Sequence, residues 1–426
     1  MTSTRKLLHA ADLHLDSPLL GLSAYENAPA EDIRGSTRRA FEAMVDLAVE
    51  EQVIAVLLAG DLFDGEWRDY SSGMFFVKGL RRLREADIPV FLLRGNHDAE
   101  SHITRTLELP SNTRELSTAR PESVHRDDLG ISVHGQGFAQ RRVMENLTAA
   151  YPAAVSGMFN IGMLHTALDG AYGHDPYAPC TVSDLAGLGY QYWALGHVHS
   201  YKVVEREPHI VFPGNLQGRS VRETGPKGCV IVEITDTAVS SIRPVALDVV
   251  RWTRVKVPIS GCRDRYDVCD RVGVALRATT AEAGERLVAC RVELEADAAT
   301  QSLAWRERDA LDAEIRSLAG EFDQVWVEKV RPVTAEREVL AASLGSATGE
   351  ALHAAATELM NDPARLREVL TDAGLTTGVL QVFRDGEVDL HDPGFGRRLL
   401  GEALDELLAH LHPTRADSTD QRKAGL

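Results

Sequence analysis

The 426 residues give room for two or three domains of roughly 100–200 residues each, and 44 % hydrophobic against 26 % charged residues exclude disorder as the default state. A formal net charge of −17 excludes a grip on nucleic acid through bulk charge, which needs a basic protein. No run approaches the ~18 apolar residues of a membrane span, and Asp12, His14 and Asp16 interrupt what would be a signal-peptide core, so a cytoplasmic protein with no membrane partner is expected.

The spacing predicts a strand over Lys6–Ala11, then a helix over Thr37–Glu51 with Phe41, Met44, Val45 and Ala48 on one face. Val53–Ala59 is a continuous apolar run, as a buried strand requires. A helix over Ser71–Glu85 and a strand over Ile88–Leu93 follow. Further strands are expected at Ser132–His134, Phe159–Leu164, Gln191–Leu195, Tyr201–Val204, Ile210–Phe212, Cys229–Ile234 and Ser241–Val245. Together these predict an α/β (α+β) catalytic domain over residues 1–247, built as two packed sheets flanked by helices. A second unit, 248–333, reads as strand Val250–Val257, helix Tyr266–Glu282, strand Leu287–Leu294, helix Leu303–Leu318 and strand Gln324–Lys329. Residues 334–412 read as helices at Glu336–Leu344, Glu350–Met360, Pro363–Ala373 and Arg397–His410, followed by a polar tail over 413–426.

Chemistry concentrates in polar clusters that each follow a predicted strand: Asp12-Leu13-His14, Gly60-Asp61-Leu62-Phe63-Asp64, Gly95-Asn96-His97-Asp98, His165 and Gly196-His197-Val198-His199. In open α/β sheets, groups at the carboxyl ends of strands converge in space. Asp12, His14, Asp61, Asn96, His165, His197 and His199 make a mixed nitrogen and oxygen set that suits two divalent metals, with Asp61 the natural bridge. Any one of these strings could be an ordinary turn, and a lone strand histidine is usually structural. The ordered set is what points to metals. Cys180, Cys229, Cys262, Cys269 and Cys290 are odd in number with no CxxC pair, which argues against a disulfide framework or a thiolate zinc site.

In order and spacing these clusters resemble the calcineurin-like metallophosphoesterases, over about residues 5–235. Within that superfamily the chain is similar to the bacterial SbcD-type repair nucleases. His9-Ala10-Ala11-Asp12-Leu13-His14-Leu15-Asp16-Ser17-Pro18 and Phe212-Pro213-Gly214-Asn215-Leu216-Gln217-Gly218-Arg219 look closest to the YhaO-like branch. The resemblance implies one metal on Asp12, His14, Asp61 and His199, and a second on Asp61, Asn96, His165 and His197. It implies that His97 acts as general acid or stabilises the leaving oxygen, that Asp64 orients His97, and that Asp98 supports the ligands from behind. It further implies a capping role for 248–333 and a partner-binding role for the helices of 334–412, the partner being an SMC-like ATPase with coiled-coil arms. A homodimer is also compatible.

The implied activity is a two-metal DNA nuclease, acting as an exonuclease in DNA repair. A metal-bridging water would attack the phosphodiester, with Mn²⁺ the favoured ion and Fe or Zn the alternatives. Asn215, Arg219, Arg222 and Lys227 are candidate phosphate contacts, weighed against solvated surface charge in an Arg-rich chain. Two rivals use the same residues differently: a phosphomonoesterase or cyclic-nucleotide phosphodiesterase, and a non-catalytic scaffold subunit of an ATPase complex.

Overall fold

The computed structural model describes residues 4–17, 28–64, 70–100, 107–169, 177–297, 299–334, 347–373 and 393–411. The chain divides into two compact units, one of Met1–Pro18 and Glu31–Trp252, the other of Leu19–Ala30 and Thr253–Leu426.

In the first unit the strands are β1 (Arg5–Ala10), β2 (Ala55–Ala59), β3 (Val90–Leu93), β4 (Thr113–Glu115), β5 (Glu122–Arg126), β6 (Ile131–Gly135), β7 (Phe159–His165), β8 (Tyr192–Gly196), β9 (Tyr201–Arg206), β10 (His209–Pro213), β11 (Gly228–Thr235) and β12 (Ala238–Ala246). They form two six-stranded sheets, ordered β12-β11-β1-β2-β3-β4 and β5-β6-β7-β8-β10-β9. The β1-β2-β3-β4 and β6-β7-β8-β10 runs are parallel. Parallel strands are covered on both faces, so β2, β6 and β8 are buried along their whole length, Ser132 and His134 of β6 included.

Side-chain alternation sorts the core into layers. Leu7, Leu57, Phe91 and Leu93 pack with Ile131, Val133, Phe159, Ile161 and Met163, which fills the space between the sheets. Their neighbours Leu8, Val56, Leu58 and Leu92 turn the other way, onto Phe41, Met44 and Val45 of helix Ser36–Glu50 and Phe76 and Leu80 of helix Tyr70–Glu85. The far face of the second sheet carries Leu164, Trp193, Leu195, Ile210 and Phe212. The result is the two-sheet sandwich with flanking helices that the sequence predicts.

The second unit holds a three-stranded sheet, β13-β14-β15, with β13 at Val250–Pro258, β14 at Leu287–Ala296 and β15 at Val325–Thr334. Strands β14 and β15 are parallel. Helix Arg265–Ala283 packs Val268, Val272 and Leu276 with Val288, Cys290 and Val292 of β14. Where a single helix over Leu303–Leu318 is expected, the chain forms two, Gln301–Arg306 and Arg308–Ala319, with Glu307 between them at φ −99° and ψ 16°. Helices Ala347–Asn361, Pro363–Asp372 and Pro393–Leu411 follow, and Leu352, Ala356, Met360, Leu400 and Leu404 form a small core of their own. The expected helix over Glu336–Leu344 and the tail from Pro413 lie outside the described residues. Among the described residues no helix is long and apolar enough to cross a membrane.

One buried group yields a stability prediction. His9 on β1 is fully buried, its Nδ1 2.9 Å from the Tyr192 hydroxyl and its Nε2 3.1 Å from the Leu195 carbonyl. Burial drives its pKa down to about 3, against a weaker upward pull from the Leu195 carbonyl. Between about pH 6.5 and pH 3 the unfolded chain therefore binds a proton at His9 that the folded chain refuses. The His9 contribution to stability is full above that window and falls as the pH falls through it. Denaturant unfolding of His9→Gln between pH 4 and 7, with EDTA present, should show a shallower loss of stability on acidification than the parent. Parallel curves for the two proteins would refute this.

Candidate metal centre

The site is assembled by loops that leave the carboxyl ends of β1, β2, β3, β7 and β8. The loops after β1 and β2 run side by side: Asp12 N–H donates to Gly60 O (2.9 Å), His14 N–H to Asp61 O (3.1 Å) and Leu15 N–H to Leu62 O (3.0 Å). Asp98 ties the β2 loop to the β3 loop, its carboxylate accepting from the backbone N–H groups of Leu62, Phe63 and Gly95 at 3.0–3.1 Å. Asp12 does the same for the β8 loop by accepting from His197 N–H at 3.0 and 3.1 Å. A Cβ on Gly196 would run into the Ala59 carbonyl, so only glycine lets β2 and β8 approach this closely. Asp12 (φ 51°), His14 (43°), Asp61 (52°) and His197 (100°) all sit in left-handed backbone, a conformation that costs about 1–3 kcal/mol per non-glycine residue and gathers at functional sites.

Among the described residues, three groups each bring their ligand atoms within 4.8 Å of one another: Asp12, His14 and His199; Asp61, His165 and His197; and His14, Asp64 and His97. Asn96 joins the second group, its Oδ1 3.0 Å from His165 Nε2. His165 Nδ1–H donates to the Ala59 carbonyl at 2.9 Å. The Nε2 lone pair therefore faces two oxygens, Asn96 Oδ1 and Asp61 Oδ2 at 3.4 Å. Three lone-pair donors aimed at one another call for a shared cation. His199 repeats the arrangement: Nδ1–H donates to Glu223 Oε1 at 2.8 Å, leaving Nε2 to face His14 Nε2 at 3.2 Å and Asp12 Oδ1 at 3.8 Å.

Electrostatics agree. Burial, with Arg219 and His199 nearby, holds the His14 pKa well below its usual value and keeps the imidazole in its metal-binding neutral form. Burial also pulls His165 down, yet Asp61 and Asp12 outweigh it and drive its pKa up to about 9, drawing to Nε2 a proton that a divalent ion would displace. Burial and the charge of Asp61 push Asp98 up to about 6. Asp12, Asp61 and Asp98 are each 1 % exposed, a density of carboxylate that divalent cations would neutralise. The donor set, oxygen and imidazole without thiolate, fits a pair of such ions.

At the mouth of the site His97 Nδ1 lies 3.0 Å from Asp64 Oδ1, with the His97 side chain 31 % exposed. Burial lowers the His97 pKa, but the hydrogen bond to Asp64 and the carboxylates of Asp61 and Asp64 more than offset it, and the net shift is upward. Asp64 is itself held well below the usual carboxylate range: burial opposes ionisation, while His97, His14, Arg219 and Ser17 favour it.

The four candidate phosphate contacts fall in different surroundings. Asn215 is fully buried, donating to Gln217 O at 2.8 Å and Glu223 Oε2 at 2.9 Å. Lys227 is buried and donates to the His199 carbonyl. Arg219 spans Asp64 Oδ2 (3.1 Å) and Glu223 Oε1 (2.9 Å). Arg222 is exposed. Sequence reasoning missed Glu223 and Ser17, the latter donating to Asp64 Oδ2 at 2.6 Å. The one available signal for Glu223 was its i+4 spacing from Arg219.

Residues 5–201 match the family model described as Calcineurin-like phosphoesterase, and 252–335 match Metallophosphoesterase YhaO, middle domain. The chain is 40 % identical over 268 residues to the protein named "Uncharacterized metallophosphoesterase YhaO" of Bacillus subtilis (strain 168), covering 62 % of this chain and 65 % of that one, just under two thirds of the relative's length. It is 24 % identical over 291 residues to the "DNA double-strand break repair protein Mre11" of Sulfurisphaera tokodaii, covering 62 % of this chain and 70 % of the relative. To the protein of the same name from Aeropyrum pernix it is 29 % identical over 240 residues, covering 52 % and 56 %. With its buried carboxylate and imidazole groups brought together at the ends of five strands, this chain carries a calcineurin-like metallophosphoesterase domain.

Proposed function

We propose that this chain is a two-metal phosphodiesterase that cuts DNA. The observation that carries the reading is the pair of ligand groups, Asp12/His14/His199 and Asp61/His165/His197, beside a half-exposed His97–Asp64 pair. Asp12, His14, Asp61 and His199 would hold one ion, and Asp61, Asn96, His165 and His197 the other, Mn²⁺ suiting the donors best. Two such ions supply charge neutralisation at a phosphodiester and lower the pKa of water between them. The protein's part is positional. Ala59 and Glu223 fix the tautomers of His165 and His199. Asp64 raises the proton affinity of His97 and holds its Nδ1, which leaves Nε2 to protonate a leaving oxygen. DNA as the substrate is supported by the relatives named for double-strand break repair. In this reading 248–333 is a capping domain, 334–412 binds an SMC-like ATPase, and that partner supplies the grip on DNA that a net charge of −17 does not.

Incubation of the EDTA-treated chain with Mn²⁺ and end-labelled single- and double-stranded DNA, beside a chromogenic phosphomonoester, tests the reaction. Shortened DNA strands, formed with Mn²⁺ and abolished by EDTA, are expected. Turnover of the monoester with intact DNA would identify a phosphomonoesterase instead. For the partner, truncation after residue 335 should abolish co-purification with the ATPase while Mn²⁺-dependent ester hydrolysis survives. A truncated chain that still co-purifies at full yield would remove the helices from the interface.

A further inference from the structure

Arg219 and Glu223 form a part-buried ion pair that reaches both ends of the site. The Glu223 carboxylate is fixed by Asn215 Nδ2 (2.9 Å), Arg219 N–H (2.8 Å) and Arg219 Nη2 (2.9 Å). Its Oε1 also accepts from His199 Nδ1–H at 2.8 Å. Arg219 Nη1 donates to Asp64 Oδ2 at 3.1 Å, and Asp64 Oδ1 lies 3.0 Å from His97 Nδ1. A continuous line thus runs His199–Glu223–Arg219–Asp64–His97. Glu223 Oε1 and Arg219 Nη2 pair as carboxylate and guanidinium at 2.9 Å. The side chains are 18 % and 13 % exposed, and Arg219 spends its fork on two carboxylates, as the planar, bidentate geometry of guanidinium favours.

We propose that Glu223 and Arg219 are positioning residues: Glu223 locks His199 as the Nδ1–H tautomer with Nε2 turned to the metal, and Arg219 couples that ligand to the His97–Asp64 pair. The proposal rests on the reading of His199 as a metal ligand. A carboxylate behind a ligating imidazole fixes the ring and raises its basicity, and its loss typically costs 10–100-fold in metal affinity. A surface Arg poised for phosphate would act otherwise, on substrate binding alone.

Calorimetric titration of Mn²⁺ into the metal-free full chain, with elemental analysis, separates these roles. The parent should bind two ions. Glu223→Ala should weaken one of the two binding steps about 10–100-fold and leave the other within a few-fold. Glu223→Gln, which keeps an acceptor for Nδ1–H without the charge, should recover part of that loss. Arg219→Ala should weaken the same step. If Glu223→Ala is unfolded by circular dichroism, the double variant Arg219→Met/Glu223→Gln, which removes both charges together, is titrated in its place with a loss at the same step expected. Parent-like affinity at both steps in Glu223→Ala, or in that double variant, would overturn the proposal. So would an Arg219→Ala that raises KM for DNA with both metal affinities intact, since that marks a phosphate contact. A parent chain that binds no Mn²⁺ would sink the ligand reading itself, a result distinct from either of these.

Discussion

Asp61→Ala is expected to bind neither ion and to lose all measurable Mn²⁺-dependent hydrolysis. Asp61 is 1 % exposed, and its two oxygens face different partners: Oδ1 accepts from His97 N–H at 3.0 Å, while Oδ2 lies 3.4 Å from His165 Nε2. Burial alone would protonate it, yet His165, His97 and His14 hold its pKa well below the usual range, so it is an anion ringed by imidazoles from both halves of the site. Loss of that charge removes a ligand from each proposed ion. The measurement has a second arm that does not depend on turnover. A ligand at 100 times its Kd stabilises the folded state by about 2.7 kcal/mol, so Mn²⁺ should raise the unfolding temperature of the parent and leave that of Asp61→Ala unmoved. An Asp61→Ala chain with normal metal content and full activity would sink the ligand assignment.

What the sequence made legible, and what it left hidden, follows from the range of each interaction. The five polar clusters stand directly after apolar runs, so strand, loop and candidate ligand are read from a dozen adjacent residues. Alternate strand residues bury on two faces, which is why Leu7 and Leu8 both read as core and why the two-sheet arrangement could be expected. β4 and β5 escaped notice because they are short, polar and half-exposed, with no periodic apolar face. The break at Glu307 escaped because no Pro or Gly marks it. Glu223 stayed hidden for a stronger reason: its partners His199, Asn215 and Arg219 are assembled by the loop's fold, and a glutamate in a charged loop reads as solvated surface. Arg219 was visible as a cation, but the two carboxylates that face it, 155 residues away at Asp64 and four away at Glu223, are facts of tertiary structure.

His97→Ala should retain two metals by elemental analysis and yet lose about 10²–10⁴-fold in kcat, the usual range for a positioned acid and equivalent to roughly 3–5 kcal/mol of barrier. Asp64→Asn should cost less, because it removes the charge that raises the His97 pKa but keeps an acceptor for Nδ1–H. The structure also contains the rival to this assignment. His97, Asp64 and His14 bring ligand atoms within 4.8 Å of one another, so His97 could in principle bind an ion directly. Exposure favours the acid: the His97 side chain is 31 % exposed where His14 and His165 are at most 1 %, which leaves His97 open to a substrate oxygen. The metal count decides the matter. A full complement of two ions in an inactive His97→Ala identifies the acid, and a site emptied by the same substitution identifies a ligand.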